Sequence, residues 1–154
     1  MFILMIIALM FVFPALSILV EMAVFRSDAG FVFLMGKWFV FWGVGIRLFS
    51  AGLRQSLQPR FTAEQIFGIS DPEPRAIVRE LGFANLSIGV LGIISLLNGM
   101  WILPSAIAGG VFYGLAGAQH AVSHGRNRLE NAAMISDIFM CIVLVFFCCA
   151  TFSH

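Results

Sequence analysis

Long apolar stretches separated by short polar segments dominate this sequence. A helix needs about 20 mostly apolar residues to cross the hydrocarbon of a bilayer, and five stretches reach that length. We therefore predict an all-α fold, a polytopic transmembrane helix bundle that forms a single integral membrane domain over residues 1–154. The predicted spans cover about 2–25, 31–55, 76–98, 104–123 and 130–152.

The one substantial polar region, 56–79, separates the second and third spans. Thr62, followed three residues later by Gln65, matches a capping box, in which the two side chains satisfy free backbone N–H groups at a helix start. We therefore predict a short interfacial helix at about 62–68. The segment Ser70-Asp71-Pro72-Glu73 is a second start signal, since serine caps helices and proline and acidic residues favour the first turn.

Composition supports a membrane protein and excludes other classes. Hydrophobic residues make up 60% of the chain and charged residues only 11%, and the mean hydropathy is +0.99. Soluble domains carry about a quarter charged residues, so a water-soluble globule is excluded. The net charge of +1 excludes a basic nucleic-acid-binding protein. The three cysteines all lie in the last apolar stretch without a CxxC motif, which disfavours a disulfide scaffold or a zinc ribbon.

Basic residues predict the orientation of the bundle. Two of them, Arg26 and Lys37, fall toward one side of the membrane in a five-span topology. Loops rich in Lys and Arg are usually cytoplasmic, so we predict a multi-pass protein of a bacterial-type inner (plasma) membrane, with loops 56–75 and 124–129 cytoplasmic and the C-terminus outside. The remaining seven basic residues fall toward the cytoplasmic side: Arg47, Arg54, Arg60, Arg75, Arg79, Arg126 and Arg128.

Strongly polar side chains inside spans are energetically costly and mark functional sites or structural pairs. Four of the predicted helices carry such side chains at one depth, in the cytoplasmic half of the bilayer, given a rise of about 1.5 Å per residue. We predict that they form an intramembrane polar pocket that binds a small amphipathic molecule, quinone- or lipid-like. The predicted ligand-binding residues are Arg47, Glu80, Asn85, Gln119, His120 and Asp137.

A histidine pair raises the question of a metal. His120 and His124 are four residues apart and would share one helix face, and Glu80 or Asp137 could supply a third ligand. The favoured interpretation is structural, with His124 at the interface and His120 hydrogen-bonded to Asn85 or a carboxylate. Enzymatic function is expected only if the pair holds a metal, and the sequence identifies no cofactor.

Arg47 has two candidate partners in the membrane, Asp137 and Glu80. The pair would serve as a ligand clamp or proton relay, or it would be a structural ion pair that fixes how the helices dock. Two other functions therefore stay open. One is an accessory subunit of a larger membrane complex, and the other is a small proton-coupled transporter that uses Glu80 or Asp137.

Small residues recur every fourth position in the fourth span, at Ala106, Gly110, Gly114 and Ala118. Such stripes let helices approach closely. Packing within the chain is the favoured interpretation, and homo-oligomerisation is the alternative. The remaining expected partners are membrane lipids and no nucleic acid.

Three segments carry a family resemblance: 41–48 (FWGVGIRL), 52–55 (GLRQ) and 79–86 (RELGFANL). With them, the chain resembles small bacterial inner-membrane proteins of unknown function and, loosely, DoxX-like four-helix proteins, over about residues 41–137. The resemblance implies an association with quinone-linked redox modules and membrane partners. This chain differs by an extra N-terminal span and a longer polar loop, and no catalytic residue is carried over.

Overall fold

The computed structural model describes residues 2–25, 29–66 and 75–153, and all regular structure in these ranges is helical. Within these ranges, five helices are long and apolar enough to cross a membrane, so the predicted all-α, membrane-spanning fold class is confirmed. A short helix, α3, covers 59–66. The long helices are α1 (Ile3–Ala23), α2 (Phe31–Leu57), α4 (Arg75–Ile94), α5 (Gly99–Val122) and α6 (Arg128–Phe152).

The short helix begins earlier than predicted. Pro59 occupies its first turn, where the fixed backbone angle of proline favours helix initiation. Thr62 already has helical angles, φ −67° and ψ −44°, and only 3% of its surface is exposed. The predicted capping box at Thr62 is therefore wrong. The predicted helix end near residue 68 and the start signal at 70–73 lie outside the described residues.

The turn between α5 and α6 has clear capping interactions. The side chain of Asn127 accepts hydrogen bonds from the backbone N–H groups of Leu129 and Glu130, at 2.8 and 2.9 Å, and so caps α6. At the end of α5, Arg126 Nη1 donates to the carbonyls of residues 120, 121 and 123. Gly125 has φ +74°, a conformation that glycine adopts without strain. Helix α5 therefore ends at Val122 rather than running through the turn.

Glycines bring the helices together as two close pairs, α2 with α4 and α5 with α6. Gly45 and Gly92 put the backbones of the first pair in direct contact, and a Cβ on Gly52 would lie 2.6 Å from the carbonyl oxygen of Gly82. Close approach of this kind requires residues without side chains.

The small-residue stripe of α5 faces α6 within the chain. A Cβ added at Gly110 would lie 3.5 Å from Leu144 Cβ, and one added at Gly114 would lie 3.0 Å from Cys141 Sγ. Ala106 is fully buried, whereas Ala118 is exposed. Three of the four stripe residues are therefore used in packing inside the bundle.

The apolar core lies where α1, α2, α5 and α6 meet, and its fully buried members include Met10, Val44 and Leu144. The outer surface is also apolar. Leu115 and Val111, for example, are 68% and 59% exposed. A bundle that is apolar inside and outside suits hydrocarbon as its solvent, and these five apolar helices indicate a multi-pass membrane protein.

The two ends of the bundle differ in charge. At one end, which we call the arginine-rich end, α2 and α5 finish and α4 and α6 begin. Asn127 Nδ2 donates to the carbonyl of Gln65 at 3.1 Å there, so α3 and the α5–α6 turn are in contact. At the opposite end, Lys37 Nζ pairs with Glu21 at 2.8 Å.

Candidate functional site

The site is built around Arg47, which directly follows an unusual stretch of α2. Residues Val40–Ile46 are wound as a π-helix, a rare form that often occurs at functional sites. The Tyr113 hydroxyl of α5 donates a hydrogen bond to the carbonyl of Gly43 in this stretch. Tyr113 therefore ties α5 to the helical segment that presents Arg47.

The guanidinium of Arg47 is held on two sides. Its Nη2 donates to Asp137 Oδ1 at 2.8 Å and to Ser136 Oγ at 2.9 Å, both on α6. Its Cζ lies 4.9 Å from the centre of the Tyr113 ring, a cation–π distance. The side chains of Arg47 and Asp137 are only 10% and 8% exposed. Of the two predicted partners of Arg47, the structure therefore pairs it with Asp137.

Two polar atoms near this ion pair are buried without a hydrogen-bond partner among the described residues: Arg47 Nη1 and Asn85 Oδ1. The other end of the Asn85 amide is satisfied, because its Nδ2 donates to Gln55 Oε1 at 2.7 Å. A buried polar group without a partner costs about 1–3 kcal/mol, so such atoms in a folded protein need an explanation.

A cavity of about 520 Å³ adjoins these atoms. It lies between the α2–α4 pair and the α5–α6 pair, and residues of α1 and α3 line it as well. Most of its accessible wall is apolar. Five of the six predicted ligand-binding residues line it: Arg47, Asn85, Gln119, His120 and Asp137.

Glu80 is the predicted site residue that lies elsewhere. It is exposed and does not line the cavity. The cause is helical geometry, because α4 turns Leu81 and Asn85 toward the cavity while position 80 is about 140° away from position 85 around the helix. The sequence indicates the position of Glu80 along α4, but it does not indicate the direction of the side chain around the helix axis.

The structure separates the two histidines of the proposed metal pair. His120 is buried, and its Nδ1 lies 3.3 Å from Glu130 Oε1. His124 is exposed and lies beyond the end of α5, after Ser123 with its extended backbone. The expectation that both share one helix face is therefore wrong. Within 2–25, 29–66 and 75–153, no group of three or more His, Cys, Asp or Glu side chains could hold a metal ion.

Sequence reasoning missed several residues of the cavity wall. Arg54 had a usable signal, since it follows Arg47 by seven residues and so lies on the same face of α2. Phe61 and Thr62 line the cavity only because α3 folds back over its arginine-rich end. Met5, from α1, carries no sequence signal beyond hydrophobicity.

The cavity reaches the surface of the bundle beside α5. Leu115 and Gln119 belong to its lining and are both exposed. Helices α4 and α5, which flank this edge, contact each other much less than the two close pairs do. Leu115 lies seven residues, about 10 Å, inside the end of α5. The opening is therefore at the depth of the apolar helix surface.

Comparison with known proteins assigns a family. The family model of DUF6790, described as a family of unknown function, matches residues 1–154. The chain belongs to this family. No curated protein and no solved structure matches the chain. The family fits the expectation of unknown function, and none of these comparisons supports the resemblance to DoxX-like proteins.

Proposed function

We propose that the cavity binds a small amphipathic molecule, quinone- or lipid-like. The observation that carries this proposal is the unused donor of Arg47, whose Nη1 is buried beside the cavity without a partner among the described residues. An oxygen atom of a bound molecule would accept this hydrogen bond. Asp137 and Tyr113 would keep the guanidinium in place for it.

The division of the wall into polar and apolar parts supports an amphipathic occupant. Arg47, Asn85 and His120 would meet the polar end, and the apolar wall would cover the rest of the molecule. The volume of about 520 Å³ falls within the range of about 300–1,000 Å³ that is typical of small-molecule sites.

The position of the opening supports entry from the membrane. Its edge includes the exposed Leu115 of α5, and a molecule dissolved in the bilayer would meet this edge without crossing water. Charged or water-soluble ligands without an apolar part would have no such route.

The binding test uses purified protein in nanodiscs with two radiolabelled probes, a short-tail quinone and palmitate. Ala116→Leu should fill part of the cavity and weaken binding of the accepted probe at least tenfold. Ala118→Leu is the matched control, because Ala118 is on the same helix and exposed but does not line the cavity. Binding of neither probe, or equal binding by both variants, would contradict the proposal.

A second variant tests the role of Arg47 itself. Arg47→Lys keeps a positive charge beside Asp137 but removes the forked second donor. We expect at least a fivefold loss of probe affinity with little change in thermal unfolding. Unchanged affinity in a folded Arg47→Lys protein would show that the ion pair is purely structural, as expected of an accessory subunit.

We also propose that the arginine-rich end faces the cytoplasm of a bacterial-type inner membrane. The contact between Asn127 and Gln65 supports placing both polar loops on one side. In a cysteine-free background, Arg128→Cys should be protected from a membrane-impermeant maleimide in intact cells, and Val24→Cys should be labelled. The reverse pattern would invert the topology.

A further inference from the structure

The charges that line the cavity do not balance. Two arginines, Arg47 and Arg54, and one carboxylate, Asp137, line it. Asp137 is already bound to Arg47 at 2.8 Å. Within the described ranges, no carboxylate lies within ion-pair distance of Arg54, and Glu64 of α3 pairs with two other arginines. Among the described residues, the lining of the cavity therefore carries one more positive than negative charge.

Glu130 does not restore this balance from within the cavity. It faces His120 at 3.3 Å and is not part of the lining. The polar residues that do line the cavity near Arg54, such as Gln55 and Thr62, are neutral.

The position of Arg54 suits its guanidinium for binding an anion in the cavity. It lies on the same face of α2 as Arg47, about 10 Å closer to the arginine-rich end. Its Cζ stacks 4.7 Å from the centre of the Phe61 ring of α3, and its side chain is half-buried. Stacking on an aromatic ring orients a guanidinium and leaves its N–H edge free to bind an oxyanion in a bidentate way.

From this arrangement we infer that the occupant of the cavity is an acidic amphiphile, with one apolar tail and a carboxylate or phosphate head bound by Arg54. This inference rests on the proposed function and specifies its ligand class. The head would lie between Arg54 and the Nη1 donor of Arg47, and the tail would lie along the apolar wall toward Leu115. A neutral quinone would leave the charge of Arg54 uncompensated.

The experiment compares amphiphiles with equal tails in nanodiscs of zwitterionic lipid. Palmitate and hexadecanol form one pair, and palmitoyl lysophosphatidate and monopalmitoylglycerol form the other. Each competes for bound radiolabelled palmitate or, if palmitate does not bind, for the short-tail quinone. At least one acid should compete at least tenfold better than its neutral counterpart, and the acid that does so identifies the carboxylate or the phosphate as the natural head.

Arg54→Gln should reduce that acid preference, measured as the ratio of acid to neutral competition, at least fivefold. Arg60→Gln is the matched control, because Arg60 is 72% exposed, pairs with Glu64 and does not line the cavity. Thermal unfolding of both variants checks that they fold.

The outcomes separate this inference from the proposed function. Equal competition by acids and neutral molecules overturns the acidic ligand, and an acid preference that survives Arg54→Gln overturns its binding by Arg54. In both cases a cavity that binds amphiphiles stands. If none of the molecules binds, the proposed function fails and the inference fails with it.

Discussion

Two ion pairs at different depths of this bundle are satisfied to different degrees. In the pair near the α1–α2 turn, Glu21 accepts two hydrogen bonds from Lys37, at 2.8 and 2.9 Å, and one from Trp38 Nε1, at 2.6 Å. In the pair at the cavity, Arg47 binds Asp137 and still has one buried nitrogen without a partner among the described residues.

The two ion pairs also differ in how far their side chains are exposed. The side chains of Lys37 and Glu21 are 23% and 16% exposed, and the Lys37 ammonium also lies 5.0 Å from the Trp38 ring. Such a basic and aromatic cluster is typical of the membrane–water interface. The Arg47–Asp137 pair is more deeply buried and borders a cavity. Glu21 in the first pair accepts three hydrogen bonds, whereas Arg47 in the second pair keeps a donor, Nη1, that has no partner among the described residues.

The largest loss of stability is expected when the Arg47–Asp137 pair loses its positive charge. Arg47→Leu leaves Asp137 as an uncompensated buried charge, which should cost about 3–5 kcal/mol of unfolding free energy. The double variant Arg47→Leu/Asp137→Leu should recover most of this loss. Reversible unfolding in mixed micelles measures both, and a single variant as stable as wild type would show that the pair is not buried in the membrane.

A smaller effect is expected where α2 is held against α4. Gly52→Ala places a methyl group 2.6 Å from the Gly82 carbonyl, and overpacking of this kind costs about 1–3 kcal/mol. Because Gly52 lies between Arg47 and Arg54, probe binding should weaken as well.

Gly110→Ala serves as the control for this change. Its new Cβ would meet Leu144 at 3.5 Å, an ordinary contact distance. Unfolding and probe binding should both stay close to wild type, and a loss equal to that of Gly52→Ala would contradict the close α2–α4 approach.

Tyr113→Phe weakens the support of Arg47 and leaves its ion pair with Asp137 in place. The ring under the guanidinium stays, but the hydrogen bond to the Gly43 carbonyl is lost. We expect a loss of about 1 kcal/mol in stability and a two- to fivefold loss of probe affinity. A stability loss with unchanged affinity would show that the contact between Tyr113 and the π-helical segment does not contribute to probe binding.

The smallest effect belongs to the interfacial pair. Lys37→Met removes a partly exposed ion pair, which is worth about 1 kcal/mol or less, while Trp38 continues to donate to Glu21. Probe binding should be unchanged, since neither residue lines the cavity. A stability loss as large as that of Arg47→Leu would remove the distinction between the two pairs.

The sequence predicts the position of a site residue along its helix better than the direction of its side chain around the helix. The depth of Arg47, Asn85 and Asp137 follows from their position along apolar helices of known rise. The direction of a side chain around its helix depends on what packs beside that helix, and Glu80 was misplaced for this reason. His124 was misplaced because Arg126 and Gly125 end α5 before it.

Arg54 is another residue whose place in the site the sequence does not settle. Its position seven residues after Arg47 indicated a shared face, but an arginine near a helix end is also typical of an interfacial anchor. In the structure, Phe61 of α3 lies against the guanidinium, and both residues line the cavity.

The amino-acid pattern alone predicts that the bundle lies in hydrocarbon and how many long helices the described residues form, because a helix needs an apolar stretch of a set length to cross a bilayer. It also determined the positions of the polar groups along those helices. Helix packing sets the other features: Arg47 pairs with Asp137, Glu80 turns away, and two glycine-packed helix pairs leave a cavity between them. These outcomes depend on contacts between distant segments, and local patterns along the chain do not contain such contacts.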